Sequence, residues 1–335
     1  MTHPCTHHED QNQDQNQHVH HESCEHEHPA SGKHSWLLPA SIVFASFMIV
    51  GAWIYTARLK VSSQSKTLGS NTGAVSQAAA ENDVPIDQEL VIPSQGVELP
   101  IVWRDLGKRL ADAGVIDLQK FESLYVQRGG LSQEMTSLLR TSDNGKIRIT
   151  PENAQILLNI SWALGLGNKN PVLDNGPMQD KQYGGAANFA STGGWSLAKG
   201  DAMQHYSKHE FITLTSDQQA LVERVSKGIY RPCCGNSVYF PDCNHGMAML
   251  GLLELMASQG VNEEEMYKAA LAINSYWFPD TYLNIAKFMK QRGIEWNSVK
   301  PQDVLSANFS SSQGYRQVLS QVQPVQSSGG GGCGV

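Results

Sequence analysis

From Trp36 to Tyr55 the chain reads WLLPASIVFASFMIVGAWIY, twenty positions without a charge, with Trp at both ends and Tyr at the close. At 1.5 Å per residue this run matches a hydrocarbon core about 30 Å thick, and the aromatic ends suit the two interfaces, so the pattern predicts a single transmembrane helix over 36–55. Lys33 precedes the span, and Arg58, Lys60 and Lys66 follow it. Taken alone, that charge bias favours a cytosolic C-terminus. Large C-terminal domains cross largely regardless of charge, however, and the Ser, Gln, Ala and Asn-rich stretch in the 56–97 linker suits a spacer between an anchor and an external domain. The expected arrangement is a single-pass cell-membrane protein with the C-terminal domain extracytoplasmic.

Beyond the linker, apolar positions recur at helical spacing. Ile101, Val102, Leu106 and Leu110 predict a helix stopped at Gly114, and DLQKFESLYVQRGG repeats the form up to Gly129 and Gly130. SQEMTSLLR predicts a third helix, DNGKIRIT a turn into a short extended piece, and Thr150 with Pro151 the start of a helix through AQILLNISWALGL. Asp143 to Gly145 do not form a calcium loop, because aligning the loop glycine on Gly145 puts Pro151 where a bidentate Glu belongs. Residues 98–166 thus read as a helical subdomain with Trp103 and Trp162 in its core. Residues 167–200 are rich in Gly and aromatics without periodicity. They are expected to form an ordered loop packed over the following domain, and a lid over a site if one is there.

The third unit, 201–322, opens with a capping box at Thr215 and Gln218 ahead of SDQQALVERVSKG. Asn262 followed by Glu263, Glu264 and Glu265 reads as a capped helix start, its carboxylates complementing the helix dipole. Two helices then meet at Pro279, with Trp277, Phe278, Tyr282 and Phe288 as candidate core. The fold class read from this pattern is mainly α: one N-terminal transmembrane helix, then a helical extracytoplasmic domain with a long Gly-rich loop.

Composition changes the picture at the two ends. Nine of the twelve His fall in residues 1–35, with Cys5, Cys24 and many Gln, Asn, Asp and Glu. Such a tail cannot bury a core; it is either a metal-collecting segment or a disordered polar overhang. At the other end, residues 323–335 close on GGGGCGV, where Cys333 is either an incidental thiol or a tethered one that reaches a site elsewhere. The formal net charge of −7 without a dense Lys/Arg stripe argues against a nucleic-acid binder.

The candidate chemistry lies in IYRPCCGNSVYFPDCNHGMAMLGLLELMASQG. Cys233, Cys234, Cys243 and His245 fall within thirteen residues, in a loop broken by Pro232, Gly235 and Pro241 and leading into a helix that starts near Asn244. Three thiols and an imidazole can complete a tetrahedral soft-metal site, although adjacent cysteines do not match a zinc-finger spacing. Met249 lies four residues after His245, and with Leu252 and Met256 it shares that helical face; Met249 is either a thioether ligand for copper or an ordinary core residue. His205 and His209 form an HxxxH pair without the Glu of a zinc protease. They are expected to face solvent unless they complete a site from across the domain.

The block CCGN with FPDCNHGMAMLGLLELMASQG resembles one in a group of uncharacterised bacterial membrane-anchored proteins, over roughly 98–295, a resemblance that implies no particular activity. The Cys loop and its flanking helices, through QGVNEEEMYKAAL, are also similar to the helical thiol domain of cytochrome c maturation proteins. That likeness implies thiol exchange, but adjacent Cys233 and Cys234 stand where that domain has a CxxC. The expected function is binding of a soft metal ion, copper or zinc, through Cys233, Cys234, Cys243, His245 and Met249, in metal handling. The alternatives are a thiol–disulfide oxidoreductase with Cys233 or Cys234 as nucleophile and Cys243 as resolving thiol, and an interaction module that the Cys cluster merely fastens.

Overall fold

The computed structural model describes residues 85–325; the expected transmembrane helix, the His-rich tail and the Gly-rich end with Cys333 lie outside the described residues. Among the described residues the fold is mainly helical, as the periodicity implies, and no helix there is long and apolar enough to cross a membrane.

Its centre is a pair of helices, α4 (Ala154–Gly167) and α6 (Asn244–Ser258) in a series whose other main members are α1 (Leu106–Asp112), α2 (Leu118–Val126), α3 (Gln133–Arg140), α5 (Ser216–Gly228), α7 (Glu263–Trp277), α8 (Pro279–Lys290) and α9 (Ser312–Leu319). A helix that is apolar around its whole circumference must be surrounded, and both central helices are buried on nearly every residue. Their backbones meet through two glycines. A Cβ on Gly165 would lie 1.9 Å from the carbonyl oxygen of Met247, and one on Gly251 would lie 2.6 Å from the amide nitrogen of Gly165. No other residue admits that approach, so both glycines inside these helices are packing requirements. Around this pair, α5 packs on α6, α7 on both α4 and α6, and α8 on the outer side of α7.

Two helix starts differ from the sequence expectation. Residues 97–102 form a strand, β1 (Val97–Val102), paired antiparallel with β2 (Lys146–Ile149) in the register Val97 to Ile149, Glu98 to Arg148 and Val102 to Lys146. Arg104 then takes a left-handed conformation, φ 55°, and the helix begins only at Leu106. The apolar pair Ile101 and Val102 therefore belongs to a strand whose partner lies more than forty residues away, a contact that local periodicity does not register. Thr150 likewise does not cap a helix: Thr150 and Asn153 hydrogen-bond each other across a turn, and α4 starts at Ala154.

The Gly-rich segment 167–200 is ordered, in short helices at Pro171–Asn175 and Ala190–Gly193 joined by 3-10 turns. Pieces of four or five residues are too short to show a period. Trp195 packs against Trp162 of α4 in a tilted contact with centroids 4.9 Å apart, and the Trp162 indole donates to the carbonyl of Ser191, so the segment is tied to the central helix.

One polar side chain breaks the apolar character of α6. Glu254 is fully buried and accepts a hydrogen bond from the side-chain amide of Asn168, whose own oxygen accepts from the amide of Ile212. Its second oxygen has no partner. Burial raises the Glu254 carboxyl well above the usual range, against the lowering effect of Asn168 and Asn170, which favours its neutral form.

Candidate metal centre

The site is built at the N-terminus of α6. Val238 N–H donates to Ile229 O and Tyr230 pairs with Ser237, which closes the Cys loop on itself; the amide of Tyr230 donates to Leu305 O and that of Ser312 to Cys234 O, which tie the loop to the C-terminal helices. This places Cys243 at the N-cap of α6 and His245 in its first turn.

Three of the expected ligands converge. One ligand atom each from Cys233, Cys243 and His245 lies within 4.8 Å of the others, and the two sulfurs are 3.6 Å apart. Two thiolates on one tetrahedral ion at a metal–sulfur distance of about 2.3 Å stand about 3.8 Å apart, so the pair is already spaced as one edge of a metal site. His245 is buried, with its ring against Trp277 at 5.7 Å and Phe278 at 4.3 Å, which limits how it can turn. Cys233 is exposed and Cys243 half-buried, so the group opens to solvent on the Cys233 side.

Cys234 belongs to a second group, with Asp242 and Cys243. Its sulfur lies 3.9 Å from both the carbonyl oxygen of Asn236 and Oδ1 of Asp242. Met249 is fully buried one turn beyond His245, on a helix buried on all sides, so its facing alone does not separate ligand from core. His205 is not solvent-facing, nor is the pair on a helix. His205 is buried with Nε2 against Lys199 O and Nδ1 3.1 Å from Nε2 of half-buried His209, and the two rings stack.

The residue that the Cys and His pattern does not announce is Arg231. It is wholly buried; Nε donates to Sγ of Cys243 at 3.3 Å and Nη2 to Phe240 O and to Oδ1 of Asp242, while Nη1 has no partner. Oδ2 of Asp242 accepts from the side-chain amide of Asn236 at 2.8 Å. Gly246 makes room for this cation, since a Cβ there would stand 2.7 Å from Cζ of Arg231. A guanidinium beneath the positive end of a 15-residue helix needs negative charge beside it. Asp242 and Cys243 provide it. Hydrogen bonds from Cys233 and Cys234 hold the Cys243 thiol well below its ordinary value, helped by the Arg231 charge and His245 and opposed by burial. Cys234 moves the other way: a hydrogen bond with Cys233 acts to lower it, but donation to Cys243 and burial prevail. Cys243 is thus the thiol of the group most readily deprotonated, and the thiolate is the form that binds soft metals.

The cover over this corner comes from the Gly-rich segment, in line with the packing expected of it. Tyr183 and Phe189 meet Phe240 of the Cys loop in a three-way aromatic contact with centroids 5.3 to 5.4 Å apart, and the amide of Ser191 donates to Asp242 O. Comparison with protein-family models, with curated proteins and with solved structures gives no match, so the reading of this site rests on its own geometry.

Proposed function

We propose that this chain binds a soft metal ion, copper or zinc, at Cys233, Cys243 and His245, and serves in metal handling as a membrane-anchored protein whose C-terminal domain is extracytoplasmic. The observation that carries the reading is the convergence of two sulfurs and one imidazole within 4.8 Å, one sulfur accepting a hydrogen bond from Nε of Arg231. Cys234 and Asp242 stand beside Cys243 as further donors, and Met249 as a thioether that only copper would use. Three protein ligands and an open side leave a coordination position that a partner's thiol or water fills, the arrangement of sites that exchange ligands.

The test is an anaerobic titration of the full chain with Cu(I) and with Zn(II), in a background where Cys5, Cys24 and Cys333 are Ser. Cys243→Ser and Cys233→Ser should each remove one bound ion per chain; unchanged stoichiometry and affinity in both refutes the site. A reporter active only outside the cytoplasm, fused after residue 322, tests the orientation.

The 3.6 Å contact between the sulfurs of Cys233 and Cys243 supports a second reading, thiol–disulfide exchange, with exposed Cys233 attacking and Cys243 resolving.

A further inference from the structure

The far end of α6 carries a separate feature, about 20 Å along the helix from the Cys group at 1.5 Å per residue. An open cleft of about 540 Å³ lies there between the end of β1, the start of α1, residues 211–213 and the last turn of α6, a volume usual for small-molecule sites. Its walls are pinned. Gln259 brackets Val102, its side-chain oxygen accepting from the Val102 amide and its nitrogen donating to the Val102 carbonyl, both at 2.8 Å. Buried Asn144 brackets Arg104 in a similar way: the Arg104 amide donates to Asn144 O at 2.9 Å, and Nδ2 of Asn144 donates to Arg104 O at 2.7 Å. That bracket holds Arg104 at φ 55°, a conformation that Gly adopts without strain and Arg does not. A strained backbone held in place by its neighbours thus sets an exposed guanidinium on the cleft.

The charges around the cleft do not cancel one another. Arg109 stands one turn beyond Asp105 but turns away from it, donating to the carbonyls of Phe211 and Glu210 and lying 5.4 Å from the centre of the Phe211 ring. Among the described residues neither Arg104 nor Arg109 pairs with a carboxylate, and Asp105 has no ion pair and makes no capping hydrogen bond. The cleft therefore gathers two uncompensated guanidiniums, one uncompensated carboxylate and the negative end of a 15-residue helix, beside the apolar surfaces of Phe211 and Leu255. A phosphate dianion is repelled by Asp105 and the helix end, and a simple cation by the two arginines. A ligand that carries both charges meets both sets.

We propose that this cleft binds a small zwitterion with an apolar side chain, a free α-amino acid or a short peptide. Arg104 and Arg109 take its carboxylate, Asp105 and the end of α6 its ammonium, and Phe211 and Leu255 its side chain. The inference is independent of the metal reading.

The experiment is calorimetric titration of the full chain with leucine, dileucine, leucinamide, N-acetyl-leucine and inorganic phosphate. Leucine or dileucine should bind one to one, the tighter of the two marking free amino acid or peptide as the source. Leucinamide and N-acetyl-leucine should each bind about tenfold more weakly than leucine, having lost one charge-assisted contact. Arg104→Gly, which suits the backbone there, should erase the difference between leucine and leucinamide. Asp105→Asn, at a position that makes no cap bond, should erase the difference between leucine and N-acetyl-leucine. No binding of leucine or dileucine at millimolar concentration, phosphate bound as tightly as leucine, or both variants binding as the parent does, each overturns the proposal.

Discussion

Nε of Arg231 donates to Sγ of Cys243 at 3.3 Å, and both lie at the N-terminal end of the most buried helix in the fold. The pair ties the chemistry of the Cys loop to the stability of the core. The buried Arg231 has Asp242 and Cys243 beside it as its compensating partners, and its charge adds to the hydrogen bonds from Cys233 and Cys234 that lower the Cys243 thiol.

Removing one partner should therefore have two readouts. Asp242→Asn leaves the buried guanidinium with only Cys243 as a charged partner and should cost roughly 3 kcal/mol in urea unfolding. Arg231→Met removes the cation and should move the alkylation midpoint of Cys243 toward that of an ordinary thiol, measured as rate against pH with iodoacetamide. An unchanged midpoint would show that the hydrogen bonds from Cys233 and Cys234 alone hold the thiolate.

The contact between α4 and α6 gives a prediction about stability alone. Gly165→Ala drives a methyl group into the carbonyl of Met247, 1.9 Å from an ideal Cβ, and should destabilise by about 1–3 kcal/mol or more because backbone has to move. Gly251→Ala presses on the same contact from the other helix. The double variant should cost less than the sum of the two, since the first already separates the helices. Strict additivity in denaturant unfolding would mean that the two glycines act independently.

Glu254 sets a pH dependence. Its folded-state value is raised by burial above the unfolded value, so the neutral acid favours folding fully below the ordinary Glu range. That contribution is lost as pH rises from there toward the folded value, because the unfolded chain ionises while the folded one does not. Glu254→Gln keeps the shape and removes the proton. Above the ordinary Glu range it should lose the part of the falling slope that this proton gives, up to about 1.4 kcal/mol per pH unit, and so gain stability relative to the parent as pH rises. Parallel stability curves for the two proteins would show that Glu254 is ionised in the fold.

Local signals in the chain were the legible ones. The Thr215 and Gln218 capping box, the Asn262 cap and the break at Pro279 all stand where the sequence puts them, because each depends on residues three or four positions apart. Gly114, Gly129 and Gly130 have the positive φ that a helix stop calls for. Strand β1 was not legible, because its pairing with β2 is long-range and its end is marked by the backbone of Arg104, a residue type with no preference for that conformation. In the site, the Cys and His spacing pointed to the loop, but not to which thiols meet. Arg231 carried a faint signal: an Arg two residues before the Cys pair and an Asp directly before Cys243 are opposite charges at the two ends of an otherwise uncharged loop. Gly246 and Glu254 were similarly marked, as a glycine in a helix's first turn and a lone acid in an apolar helix.

The most direct measurement is the X-ray absorption spectrum of the zinc-loaded full chain with Cys5, Cys24 and Cys333 replaced by Ser, taken beside the Cys243→Ser chain. The parent should show sulfur neighbours at about 2.3 Å and nitrogen at about 2.0 Å, and Cys243→Ser should lose the sulfur shell together with one bound ion. A parent spectrum of nitrogen and oxygen neighbours alone, unaltered by Cys243→Ser, would place the metal elsewhere and contradict the site.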